Sequence, residues 1–272
     1  MKGNYEGLMN HRRKVTSADG EDGLIEEVLQ RVGATNKCCV ELGANDGKWL
    51  SNIYHLWHDL GWKGLLIEGN REYYEALKMN ARGRNVRIVN VMVANSGERT
   101  LDRILLTEGA PLDVDLLSLD VDGDDYYILE SLNHLKPRLL IVEYNPTIPP
   151  HIDIVQEPGE HFGASAAAIV RLGHEKGYRF ICLTHTNCFL LREDVFPSMH
   201  MREPKLDQVF RGTELTYVIS SYHGQMFLSR QPTYVNRLEN EPLIDWRKFK
   251  RSRHSKLAGR DRATPVRIFN DL

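Results

Sequence analysis

One stretch constrains this chain more than any other: Val40-Glu41-Leu42-Gly43-Ala44-Asn45-Asp46-Gly47. It completes a short apolar run over 38–42 and precedes residues 48–60, whose apolar positions recur at helical spacing. A strand that ends in a glycine-turned loop and feeds a helix brings backbone N–H groups and a helix N-terminus to a ligand. A second apolar run, Gly64-Leu65-Leu66-Ile67-Glu68-Gly69-Asn70, ends in an acid. That acid lies about twenty residues on, where a βαβ nucleotide site places its ribose-binding carboxylate. Two strand ends of this kind, in this order, predict an adenosine-containing cofactor.

The loop chemistry narrows the choice. A dinucleotide site prefers G-x-G-x-x-G, its second glycine giving close approach to pyrophosphate. Here Asn45 holds that position and Asp46 follows, and an acid beside pyrophosphate is repelled. S-adenosylmethionine (SAM) has no phosphate; it carries an ammonium, a sulfonium and a carboxylate, which suits acids, amides and loop N–H groups. SAM is therefore expected rather than NAD. Glu68 is expected to accept from both ribose hydroxyls. Gly43 and Gly47 would admit the methionine part to the backbone, and Asn45 or Asp46 would accept from its ammonium. Glu41, Ser51 and Asn52 would line the same pocket, with capping of the early helix as the alternative for the last two. Asn95 is the candidate for an adenine contact.

Further motifs follow in order: Ser51-Asn52, Gly61-Trp-Lys-Gly-Leu-Leu-Ile-Glu68-Gly-Asn70, Leu117-Ser-Leu-Asp120-Val-Asp122-Gly-Asp124-Asp125-Tyr126-Tyr127 and Arg138-Leu-Leu-Ile-Val-Glu143-Tyr-Asn145-Pro146. Phe162-Gly163-Ala164-Ser165 and Gly177-Tyr178-Arg-Phe-Ile-Cys-Leu183 complete the series. With the glycine loop, the series resembles the FkbM-type branch of class I SAM-dependent methyltransferases over residues 22–195. The resemblance implies a Rossmann-like α/β fold: a mostly parallel seven-stranded sheet with one antiparallel strand and helices on both faces. It also implies methylation of natural-product or carbohydrate hydroxyls.

Read from periodicity alone, residues 1–20 are a polar, irregular segment, and 24–32 have helical spacing. Strands are expected at 38–42, 64–68, 86–93, 115–120 and 138–144, and helices over 49–60, 71–80, 124–135 and 164–176. A variable loop is expected between the third and fourth strands. Pro146, Pro149 and Pro150 predict a loop or lid. Residues 178–183 and 188–191 read as a hairpin. The methyltransferase domain is thus expected over 21–195, with a C-terminal extension over 196–272 holding short strands at 215–220 and 225–228.

Glu41, Glu68, Asp120 and Glu143 all fall at strand carboxyl ends, where open α/β sheets bind ligands. Asp120 is expected to contact the cofactor as well. Asp120, Asp122, Glu143 and Asn145 form an all-oxygen set suited to Mg²⁺ or another hard divalent cation, which would orient and acidify a substrate hydroxyl. The alternative is that they contact cofactor and substrate without metal. Removing the hydroxyl proton calls for a base. Asp122, Glu143 and His151 are the candidates, and His161 and His185 are further histidines in the lid and hairpin turn.

Apolar content of 42% and charged content of 26% are ordinary for a soluble globular protein. No apolar run reaches the length of a membrane span, and the first residues lack a secretory apolar core. Cys38, Cys39, Cys182 and Cys188 show no C-x-x-C spacing, so reduced thiols in a cytoplasmic protein are expected. The net charge of −2 hides a basic C-terminus: Arg247, Lys248, Lys250, Arg251, Arg253, Lys256, Arg260 and Arg262. Such a tail suits nucleic acid, a phosphorylated substrate, an acidic face of another subunit in a homo-oligomer, or plain solvation. The expected acceptor is a hydroxyl of a polar small molecule such as a sugar, glycan or natural product, with neither membrane nor nucleic acid as partner. Three rivals stand beside it: a nucleic-acid amino-methyltransferase (from Asn145-Pro146-Thr147-Ile148), a non-catalytic SAM-fold binding protein and a nicotinamide oxidoreductase. The Asn-Pro motif follows the fifth expected strand rather than the fourth, which counts against the first.

Overall fold

A computed structural model describes residues 5–223, 225–233 and 266–268. The basic C-terminal run lies outside the described residues. Two compact units are present, one formed by residues 1–145 and 150–210, the other by 146–149 and 211–272.

The first unit begins with α1 (Tyr5–Met9) and α2 (Glu21–Val32), then alternates strand and helix: β1 (Cys38–Leu42), α3 (Tyr54–His58), β2 (Lys63–Glu68), α4 (Arg71–Asn80), β3 (Val86–Asn90), α5 (Leu101–Thr107), β4 (Leu116–Leu119), α6 (Asp125–Ser131) and β5 (Leu139–Glu143). It ends with α7 (Ala166–Glu175), β6 (Tyr178–Leu183), β7 (Asn187–Arg192) and α8 (Leu206–Val209). The seven strands form one sheet in the order β3-β2-β1-β4-β5-β7-β6. β7 runs antiparallel to both its neighbours, and the other pairings are parallel. The Rossmann-like sheet expected from the sequence is therefore present.

Alternation along the strands divides the core in two. Val40, Leu42, Leu65, Ile67, Leu117, Leu119, Leu140 and Val142 pack with α5, α6 and α7 on one face. Cys39, Leu66, Leu116, Leu139 and Ile141 pack with α2, α3 and α4 on the other. Apolar strands covered on both faces explain the near-continuous hydrophobic runs in the sequence. All four cysteines are buried free thiols, and burial raises the pKa of each.

Several boundaries differ from expectation. The helix expected over 49–60 shrinks to α3, because the preceding residues are tied to the end of β1 by side-chain bonds described below. The third strand stops at Asn90, whose side-chain amide turns back to the carbonyls of Glu68 and Gly69. The loop expected before β4 contains α5, which buries Leu101, Ile104 and Leu105. The helix expected to reach 135 ends at Ser131, because the N–H groups of Asn133, His134 and Leu135 bond to the buried Asp102 carboxylate at 2.8, 3.1 and 3.0 Å.

The N-terminal segment is not irregular either. After α1, residues 12–22 form a strap fastened by the Asp22 carboxylate. It accepts from the N–H groups of Val15, Thr16 and Ser17. The strap bridges Leu50 through Ser17, bonds the Ser51 carbonyl through Thr16 Oγ1 at 3.0 Å, and reaches the β6–β7 turn. There the His185 N–H donates to Asp19 at 2.9 Å and Asn187 Nδ2 donates to Glu21 at 3.2 Å.

The second unit contains a three-stranded sheet of β8 (Val218–Ser220), β9 (Met226–Leu228) and β10 (Val266–Ile268), in the order β10-β9-β8. The first two are shorter than the strands expected at 215–220 and 225–228. Among the described residues, no helix is long and apolar enough to cross a membrane.

Candidate active site

At the carboxyl edge of the sheet, Glu68 ends β2 and is nearly buried. One oxygen accepts from the Asn45 N–H at 2.7 Å and the other from the Asn70 N–H at 2.6 Å. Asn70 then caps α4, accepting from the N–H groups of Glu72 and Tyr73. The carboxylate is thus fixed between the glycine loop and α4. Each oxygen retains acceptor capacity for a further donor.

The glycine loop is shaped by the protein's own packing. Gly43 has φ 76° and Gly47 φ 80°, values that a β-carbon disfavours. A side chain at Gly43 would overlap the Asp120 carbonyl oxygen, and one at Gly47 would press on Leu77. Both glycines are therefore required by contacts within the fold. Asn45, at φ 49°, accepts the Asp46 N–H on its own side chain at 2.7 Å. Asp46 Oδ1 accepts from the N–H groups of Lys48 and Trp49 at 2.9 and 2.6 Å, and Leu50 follows at φ 58°. This turn replaces the first part of the expected helix, so no helix N-terminus directly follows the glycines.

Glu41, buried at the end of β1, anchors the far side of the loop. It accepts from Ser51 Oγ at 2.6 Å and the Asn52 N–H at 2.9 Å. Burial pushes its pKa up to about 8 against the opposing effect of these bonds. Ser51 Oγ accepts from the Tyr54 N–H at the start of α3, and Asn52 Nδ2 donates to Ser118 Oγ at 3.1 Å. Ser51 and Asn52 are almost fully buried. Their visible role is the capping and bracing weighed as the alternative in the sequence.

Beyond β4 and β5, carboxylate oxygens of Asp120, Asp122 and Glu143 lie within 4.8 Å of one another. Asp122 is exposed and left-handed, at φ 57°. Asp125, at the start of α6, organises the turn: its carboxylate accepts from the N–H groups of Val121 and Gly123 at 3.0 and 3.1 Å. Burial raises both Asp120 and Glu143; repulsion from Asp125 and Asp122 adds to the first and repulsion from Asp120 and Asp125 to the second, while the hydrogen bond they share lowers Asp120 and raises Glu143. Asp125 is raised chiefly by burial.

Opposite Glu143 in the β5–β7 register stands Asn187. It is 2% exposed, and its Oδ1 has no hydrogen-bond partner among the described residues. The corner is therefore rich in oxygen acceptors. Its donor chemistry fits a hard cation or a cationic group of a ligand. Asn145 is engaged with the following loop, its Nδ2 donating to the Phe162 carbonyl at 2.7 Å.

The stretch expected to be a lid is pinned. Asp124 Oδ1 accepts from Gln156 Nε2 at 3.1 Å and the Gly159 N–H at 2.8 Å. Tyr127 Oη donates to the Gln156 carbonyl at 2.6 Å. The Glu160 carbonyl rests where a side chain at Gly123 would stand. His161 Nδ1 lies 3.0 Å from the Asp122 carbonyl, which accepts and so fixes Nδ1 as the donor. His151 is exposed and has no hydrogen bond or ion pair among the described residues, so His161 is the lid histidine that the structure ties to the acidic corner. Asn95 lines a cavity with Asp102, Arg103 and His134.

Glu21, Asp22 and Asn187 are the main contributors that sequence reasoning missed. Glu21 and Asn187 pair across 166 residues, whereas Asp22 is held by the nearby strap residues 15–17, and only the acids at the start of an amphipathic helix hinted at any of them.

No family model and no curated protein matches this chain. Solved structures with a similar fold include the CMeT domain of the citrinin polyketide synthase, at 12% identity and TM-score 0.44 over 63% of this chain. The chain spans about half, 51%, of that domain structure. The METTL16 MTase domain matches at 15% identity and TM-score 0.40, over 63% of this chain and 66% of that one. SAM-bound CalS10, an amino pentose methyltransferase from Micromonospora echinaspora, matches at 12% identity and TM-score 0.39, over 69% of this chain and 96% of that one. The likeness is one of fold.

Proposed function

We propose that the protein is a SAM-dependent O-methyltransferase acting on a hydroxyl of a polar small molecule such as a sugar, glycan or natural product. The observation that carries this reading is Glu68, held by the Asn45 and Asn70 N–H groups at the end of β2 with acceptor capacity to spare. A carboxylate so placed accepts from two vicinal ribose hydroxyls. The acceptor-rich corner of Asp120, Asp122 and Glu143 supports the second half of the site. Hydroxyl acceptors and the FkbM-type branch are inferred from the sequence motifs.

Bound SAM supplies a methyl group already activated by its sulfonium. A divalent cation held by Asp120, Asp122 and Glu143, with Asn145 or Asn187 as the amide candidates, would supply Lewis acidity toward the acceptor oxygen. The chain's own residues do the rest. Glu68 orients the ribose, and Glu41 with Ser51 and Asn52 keeps the glycine loop in shape. The pinned 150–165 loop is placed to exclude water, which leaves alignment of nucleophile, methyl carbon and sulfur as the main source of rate. Without the cation, the exposed Asp122 is the carboxylate open to the hydroxyl proton, since burial favours the protonated form of Glu143.

Calorimetric titration of SAM into the purified protein tests the cofactor half. Binding at micromolar strength, weakened at least about tenfold in Glu68→Ala, is expected. Unchanged affinity in the variant would remove Glu68 from the site, and no SAM binding at all would remove the function. A radiolabelled-methyl screen over glycosides and polyols, with and without Mg²⁺, tests the acceptor half.

A further inference from the structure

On the α5–α6 flank of the sheet is a cavity of about 440 Å³, within the usual range for small-molecule sites. It lies between the start of α5 and the turn after α6, lined by Asn95, Thr100, Arg103, Leu106, Ser131, Asn133 and His134 around the buried Asp102. Asp102 is the only acid of the lining, and its carboxylate already accepts three backbone N–H groups from 133–135. The remaining polar lining is a set of guanidinium, imidazole, amide and hydroxyl groups.

Arg103 is exposed, and its guanidinium has no hydrogen bond or ion pair among the described residues. The same holds for Arg99, one residue before Thr100, and for the His134 ring. Asn133 Nδ2 donates to the Ser131 carbonyl at 2.9 Å and keeps a second N–H. The Arg103 guanidinium and the His134 ring beside the Asn95 and Asn133 amides match the needs of an oxyanion, which takes several charge-assisted hydrogen bonds at once. The exposed Leu106 side chain offers an apolar wall for the body of such a ligand.

We propose that this cavity is a second ligand site, taking a small molecule through its phosphate or carboxylate group, with Arg103 and His134 as the principal contacts. Apart from Asn95, the adenine-contact candidate of the sequence, the cavity shares none of the residues assigned to the cofactor, so anchoring by Arg103 and His134 does not depend on SAM binding.

The test is a nitrogen-resolved NMR titration of the full chain at constant ionic strength, with methyl phosphate in one arm and acetate in the other, and chloride as the screening control. Saturable shifts at the side-chain amides of Asn95 and Asn133 and at Arg103 Nε are expected, with the glycine loop unmoved. In Arg103→Gln combined with His134→Gln, both exposed positions, the affinity should fall at least about tenfold. Saturation by methyl phosphate alone identifies a phosphate ester, and by acetate alone a carboxylate. Shifts that fail to saturate in either arm, match the chloride control, or persist in the double variant would overturn the proposal.

Discussion

Gly43 permits no side chain, because the Asp120 carbonyl oxygen occupies that space and the backbone is left-handed there. Gly43→Ala should therefore cost at least about 2 kcal/mol, from strain and overpacking together. Urea unfolding measures this directly; a loss below about 0.5 kcal/mol would show that the strand ends separate easily. Glu68 and the Asp120–Glu143 pair differ in kind, since their oxygens keep capacity for a ligand. Asp120→Asn with Glu143→Gln preserves shape while removing the charge of both groups. In an acceptor assay it should abolish turnover with an unfolding midpoint at or above that of the parent, because burial already disfavours both charges. Full activity in that variant would place the acceptor elsewhere.

Elements differ in how plainly the sequence announces them. The β1 and β2 strands and their terminal acids were legible, because a fully covered parallel strand is a short apolar run and its end is a sharp chemical change. The antiparallel β7 was legible from its hairpin. α5 was not: seven residues give too few helical repeats, and what fixes it is the bonding of its own Asp102 to a turn some thirty residues away. The early stop of α6 has the same origin. Asp102→Ala should destabilise the protein by about 2–4 kcal/mol, since three buried N–H groups lose their acceptor. Hydrogen exchange of 133–135 should rise in that variant more than exchange in β4; equal change in both would mean that the bond merely follows the fold. The glycine loop shows the opposite case. Its glycines predict a turn that feeds a helix, yet the helix begins later, because Asp46 and Glu41 hold the intervening backbone.

At the scale of the whole molecule, buried acids set the pH response. The folded state holds Glu41 at about 8 against an ordinary 4.5, so the native protein binds more protons than the unfolded chain in that interval. Stability from this group is complete below about pH 4.5 and is lost as pH rises toward about 8. The raised Asp120, Asp125 and Glu143 act in the same direction. Asp59 acts oppositely: hydrogen bonds from His58 and His55 lower its pKa, so its contribution is present above its unfolded value and lost as pH falls through the folded one. For the buried acids together, stability is expected to fall as pH rises above about 4.5. Glu41→Gln should flatten the alkaline decline in urea-unfolding free energy; an unchanged slope would assign the decline to the β4–β5 corner alone.

The strap has a consequence for biosynthesis. Asp19 and Glu21 find their partners His185 and Asn187 at a separation of 166 residues. Translation at roughly 5–20 residues per second puts about 8–33 seconds between the emergence of the two halves. Throughout that interval the nascent chain carries Asp19 and Glu21 without the turn that bonds them, and the sheet lacks its antiparallel strand. The strap can reach Leu50 and Ser51 early, but its far attachment waits for the end of the sheet.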